Sequence, residues 1–255
     1  MPTWTLALVL VGGCILVALG ALFAGRRWVP SLVGKADSRS LSSAFGIATG
    51  LFSFVLAFTI GQLYGNFTRT SNDVRTEATQ LSQLVRVSGY IDTKEGAVMR
   101  TDALAYATQV KDVEWKSLRH GTADPAAWAL IDKLYADLRT ITPTTPSDSL
   151  FYGQAAARLN DLVSARRARL DDANVGLPTV FSVMLLLGAV LALVTTANFK
   201  PADDKLQIAF ILAASAFVGF ALLVALVLDY PFSGTVAVSN APFAEITHAQ
   251  LLAGG

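Results

Sequence analysis

The chain has 255 residues, an apolar fraction of 53% and only 15% charged side chains, against about 25% in ordinary soluble domains. Lys and Arg total 20, Asp and Glu 19, so the formal charge of +1 carries no overall bias that suggests nucleic-acid binding. The lone Cys14 cannot close an intrachain disulfide, and His120 and His248 are too few for a histidine-rich metal site.

The apolar residues fall in runs. The first, residues 4–23 (WTLALVLVGGCILVALGALF), is uncharged and long enough to cross a hydrocarbon core of roughly 30 Å. No basic side chain precedes it and Arg26 and Arg27 follow it, so it reads as a retained anchor and not as a signal peptide. The short stretch after it carries Arg26, Arg27, Lys35 and Arg39 against Asp37, which the positive-inside rule assigns to the cytoplasm. The second run, residues 45–63, is apolar, with Phe52, Phe54, Phe58, Ser53, Thr59 and Gln62 and no charge. Phe54 and Phe58 lie four residues apart and share a helix face, so repeated around an oligomer they form a candidate pore constriction that gates by dewetting. The other reading has them facing lipid or neighbouring helices.

Residues 64–176 are predicted to form an extramembrane helical bundle. Phe67, Val74, Ala78, Leu81 and Val85 keep a helical period, and no proline interrupts residues 45–90, so the second run is expected to continue outward as one rod. Asp73 and Glu77 are expected on its polar face. A second helix is expected over residues 96–118, with Val110, Val113 and Trp115 as apolar surface. Asp112 and Glu114 are two apart and do not share a face. They read as ordinary salt-bridge acids for Lys111 and Arg119, with no catalytic role. HGTADP reads as a turn, with Asp124 as N-cap and Pro125 at the first helical position. A third helix follows over residues 126–139. ITPTTPSDS breaks the chain, and Asp148 or Ser149 is expected to cap a last helix over residues 150–172.

The third and fourth runs are residues 177–195 and 206–228, followed by a tail, residues 229–255, without Lys or Arg. Asp229 closes the fourth run at the helix end where the macrodipole disfavours a carboxylate, and Pro231 stops the helix there. A structural clamp is predicted: Asp229 held by Arg166, Arg167 or Arg169, with Pro231 and Gly234 shaping the turn. The fold expected is an all-α membrane protein with four transmembrane helices and a helical bundle inserted between the second and third. A three-span arrangement, with the second run partly in the interface, is the rival. An even number of spans puts both termini and residues 64–176 outside the cytoplasm.

EATQL at 77–81, EWKSLRHG at 114–121, RRARLDDANVGLPTVF at 166–181 and LDYPFSG at 228–234 resemble the bestrophin-like, or DUF4239, family of bacterial membrane proteins, in the same order of spans and insert. The resemblance rests on Glu77, Leu81, Glu114, Trp115, Arg166, Arg169, Pro178, Asp229, Pro231, Phe232, Ser233 and Gly234. It implies an inner-membrane homo-oligomer, named by analogy with pentameric anion channels. The function expected is an oligomeric ion channel or transport-related protein for an anion or other small ion, in contact with lipid. The alternative is a membrane-anchored interaction or sensory module with a protein partner. No P-loop, dinucleotide fingerprint, zinc-ligand set or serine elbow occurs, so no enzyme, cofactor, metal or nucleic-acid partner is expected.

Overall fold

Helices make up the regular structure of the described residues. The computed structural model describes residues 3–28, 38–174, 176–198, 204–234 and 236–253. Lys35 and Asp37 lie outside them. The elements are α1 (Thr3–Trp28), α2 (Ser38–Ser88), α3 (Lys94–Gln109), a π-helical turn (Val110–Glu114), α4 (Trp115–Leu118), α5 (Pro125–Thr140), α6 (Pro146–Asn174), α7 (Thr179–Asn198), α8 (Asp204–Asp229) and α9 (Ala241–Ala253). Four of them, α1, α2, α7 and α8, are long and apolar enough to cross a membrane. The chain divides into two units. One comprises residues 1–65, 176–230 and 234–236, and the other residues 66–175, 231–233 and 237–255.

In the first unit α1, α7 and α8 pack through Cys14, Ala18, Ala189, Leu193, Ala197, Ile211 and Val218. Small residues let these helices approach closely, which in lipid replaces the hydrophobic drive of a soluble core. Gly219 shows how closely: a Cβ there would lie 2.8 Å from Val11 Cα. At one end Arg26 donates to Asp204 Oδ1 and to Gln207 Oε1, each at 3.1 Å, and Gln207 donates to the Ala197 carbonyl. Apolar side chains such as Leu16, Phe23, Leu187 and Phe217 point outward, as they do where lipid is the solvent.

The second unit is the bundle inserted between the second and third apolar helices. Its core holds Val74, Leu81 and Leu84 of α2, Met99 and Tyr106 of α3, Ile131 and Leu134 of α5, and Leu159 and Leu162 of α6. The uninterrupted helix from 45 to 88 matches the absence of proline. Asp124 caps α5 by accepting from Ala126 N–H at 3.1 Å. The last helix begins earlier than expected. Asp148 Oδ2 accepts from the Thr145 N–H at 2.9 Å while the Asp148 N–H donates to Thr145 Oγ1 at 3.1 Å. This is a reciprocal capping box with Pro146 at the first helical position. The helix over 94–118 is not uniform. The π-helical turn inserts an extra residue per turn, buries Val110 and Glu114, and leaves Val113 exposed. Part of the tail is helical. It forms α9, which buries Phe243 and Ile246 in the bundle core.

Candidate functional site

The bundle core contains a cluster of charge. Glu77, Glu114, Arg166 and Arg169 are all 0% exposed, as is Tyr106. Local sequence puts them there. On α6 the buried positions Ala155, Leu159, Leu162, Arg166 and Arg169 recur every three or four residues, so one face carries apolar residues and then two arginines. On α2 Glu77 sits between Val74 and Leu81 on the buried stripe, so the expectation of a polar face for Glu77 is corrected. The π-helical turn brings Glu114 inward beside Tyr106.

The geometry is closed. Arg166 grips Glu114 with two bonds, Nη1 to Oε2 at 2.7 Å and Nη2 to Oε1 at 2.6 Å, the bidentate fork that suits guanidinium and carboxylate. Arg169 Nη2 reaches the same Glu114 Oε2 at 2.8 Å and Glu77 Oε1 at 3.1 Å, and its Nε donates to Glu77 Oε2. Tyr106 donates its hydroxyl to Glu77 Oε1 and accepts from Arg166 Nη1 at 3.1 Å. The Asp124 N–H donates to Glu114 Oε1 at 3.1 Å, tying the start of α5 to the cluster. Arg166 Nε and Arg169 Nη1 have no hydrogen-bond partner. Their guanidiniums instead lie over aromatic rings, Arg166 at 4.7 Å from the Trp128 centroid and Arg169 at 5.8 Å from that of Trp115. Trp115 meets Phe232 edge-on at 5.5 Å, which buries Phe232 against helix.

Two carboxylates balance two guanidiniums. Burial pushes the Glu114 carboxyl up, but the hydrogen bonds and charges of Arg166 and Arg169 outweigh it and hold it below its usual range. Burial, followed by the Glu77 charge, drives the Tyr106 phenol well above its usual value, so it stays protonated and donates. The arginine pKa values rise: desolvation opposes their charge, and the surrounding acids overcome it. The cluster ties together α2, α3, the π-helical turn and α6 and offers no free nucleophile. Among the described residues no group of three or more His, Cys, Asp or Glu side chains could hold a metal ion.

The sequence-predicted site residues are found in several places. Phe54 and Phe58 point outward from α2, 71% and 62% exposed. Arg166 and Arg169 bond to Glu114 and Glu77 inside the bundle, and Arg167 between them is exposed. Asp229 Oδ1 accepts from the Leu177 N–H at 2.6 Å. Arg166, Arg167 and Arg169 belong to the second unit, and Asp229 makes this bond within the first. Its carboxylate serves the N-terminal end of the antiparallel α7, where the macrodipole favours a negative charge. That removes the apparent misplacement of an acid at the end of α8. Lys111 pairs with Asp112 at 3.5 Å as expected, whereas Glu114 pairs with neither Lys111 nor Arg119. Pro231 is buried and its carbonyl accepts from Val238 N–H at 2.8 Å. Gly234 has φ +85°, a left-handed turn that favours glycine.

Among curated proteins none matches the chain. Solved structures do. A crystal structure of a bacterial Bestrophin homolog from Klebsiella pneumoniae, a point mutant, aligns over 98% of this chain and 99% of its own at TM-score 0.74 and 16% identity. A second structure of a bacterial Bestrophin homolog from Klebsiella pneumoniae aligns over 95% and 96% at TM-score 0.71 and 15% identity. A third, described as a membrane protein, covers 98% of both chains at TM-score 0.74 and 16% identity. At these identities the likeness is one of fold. The Bestrophin-like domain matches residues 12–243, nearly the whole chain, and the protein is therefore a multi-pass membrane protein of the Bestrophin-like family.

Proposed function

We propose that the protein is one subunit of a homo-oligomeric, ion-conducting assembly in a bacterial cytoplasmic membrane, with α2 lining the pathway and Phe54 and Phe58 forming its constriction. The observation that supports this is the outward face of α2. Phe54 is 71% and Phe58 62% exposed, while α1, α7 and α8 share a packed cluster to which α2 adds Phe52. A single subunit of four spans has little room for a pathway of its own, so the lining must come from several copies. Purified protein sized in detergent and reconstituted in liposomes tests this. An ordered oligomer that passes a small anion such as chloride is expected, and a strict monomer contradicts it.

The clamp at Asp229 belongs to the same reading as a tie between the fourth and third spans, with Pro231 and Gly234 turning the chain after it. The orientation proposed has Arg26, Arg27 and Arg39 in the cytoplasm and residues 64–176 outside. The Arg26–Asp204 contact supports a shared membrane face for the end of α1 and the start of α8. In a Cys14→Ala background, an impermeant thiol reagent applied to intact cells should label a cysteine at Thr122 and not one at Ser38. The opposite pattern reverses the orientation.

One surface favours the second reading, an interaction module. A groove of about 770 Å³ runs beside α2 and α9, lined by Arg75, Thr79, Gln83, Arg86, Pro242 and Glu245. An ordered oligomer without flux supports that reading.

A further inference from the structure

The bundle holds a second cluster of acid groups, apart from the arginine–glutamate core. Asp102 on α3 is buried, its side chain 9% exposed. Lys133 on α5 donates to Asp102 Oδ1 at 2.7 Å. That contact satisfies one carboxylate oxygen with one cation. The other oxygen, Asp102 Oδ2, is buried without a hydrogen-bond donor, and so is Asp137 Oδ2 on α5. The two carboxyl groups lie within hydrogen-bonding reach of each other. Two carboxylates can share such a contact only if one carries a proton, because an ionised carboxylate is acceptor-only.

We propose that Asp102 and Asp137 form a proton-binding site that latches α3 to α5, with one proton held between their Oδ2 atoms. With the proton bound, Asp137 donates to Asp102, Lys133 balances the Asp102 charge, and the site is neutral. Releasing the proton to water leaves two carboxylates against one ammonium, and the hydrogen bond between the helices becomes a repulsion. The charged groups acting on Asp137 are Asp102, across the helix interface, and Lys133, one turn back on its own helix. On α6, which also packs against α5, Arg158 and Asp161 pair with each other at 3.3 Å, and Asn160, which accepts from Tyr135, is neutral.

The direction of the pH effect follows. Burial, then the bond to Asp102 and its charge, pushes the Asp137 carboxyl up to about 6, against 3.8 for an ordinary aspartate. The folded state therefore binds this proton more tightly than the unfolded chain. Its contribution to stability is full below the ordinary value, is lost as pH rises through about 6, and is absent at pH 8. Nothing in this latch depends on ion conduction.

Thermal unfolding of the full-length protein in detergent, from pH 4.5 to 8, tests the proposal. Wild-type Tm should fall by about 2–5 °C as pH rises from 4.5 through about 6, and level off above that. Asp137→Asn keeps a donor and cannot ionise, so it should lose that fall and exceed the wild type at pH 8. A wild-type profile flat between pH 5 and 7, or an Asp137→Asn profile parallel to it, overturns the proposal. Hydrogen exchange of wild-type residues 94–109 and 125–140, corrected for intrinsic rates, gives a second readout without a variant. Protection should drop several-fold from pH 5 to pH 7.5, and unchanged protection overturns the proposal.

Discussion

At the scale of single residues, Glu77, Glu114, Arg166 and Arg169 carry the most consequence. Each desolvated charge is compensated by another, so removing one leaves its partner buried and unpaired. Glu114→Gln should cost about 3–5 kcal/mol, because two guanidiniums then face one carboxylate. Replacing Glu77 and Arg169 together by leucine should cost less than the sum of the two single changes, as expected for groups in one network. Chemical denaturation of the four-member cycle measures this, and additive losses contradict a coupled cluster. The sign with pH is opposite to that of Asp137. Glu114 titrates lower in the fold than its usual 4.5, so its contribution is present above that value and is lost as pH falls through the lower folded one. The four residues all lie in the motifs that carry the family resemblance, but their role was not legible from adjacent sequence. Arg166 and Arg169 read as partners for Asp229 until the heptad-like run Ala155, Leu159, Leu162 is extended to them. Glu77 likewise falls on the Val74–Leu81 stripe. Continuing an apolar stripe through a charged residue is the signal that could have found them.

At the scale of elements, helix type and order were legible because apolar periodicity and turn chemistry agree. Asp124 and Pro125 start α5 as their residue types require. The structure starts α6 four residues before the expected position, because the cap is Thr145, with Asp148 reaching back to it, and the pair reads equally as part of a proline-rich break. The π-helical turn left no trace in composition, since an extra residue in a turn shifts the helical phase without changing residue types. Helix α9 has no local signature, because its burial depends on a tertiary partner: the Phe243 ring lies 6.1 Å from the Trp115 ring, far along the chain. Asp229 shows the same limit. Its position at the end of α8 was legible, but the Leu177 N–H that donates to it comes from the segment just before α7.

At the scale of the whole molecule, the sequence distinguishes a membrane part from a charged helical insert, and the family match extends over both. Whether lipid or a shared pathway meets the outward apolar residues depends on whether copies assemble. The outward apolar residues of α1, α7 and α8 suit lipid, and those of α2 suit either lipid or a pathway shared between copies. The two environments differ in one accessible property, water. A cysteine at Phe54 or at Phe58, in the Cys14→Ala background, can be challenged with a small, charged, membrane-impermeant thiosulfonate while chloride flux is recorded from proteoliposomes. Lining residues should react and the added charge should change the flux several-fold, whereas a cysteine at Leu187, outward on α7, should stay unreactive. If the cysteines at Phe54 and Phe58 are as inert as the one at Leu187 while the assembly conducts, α2 does not line the pathway.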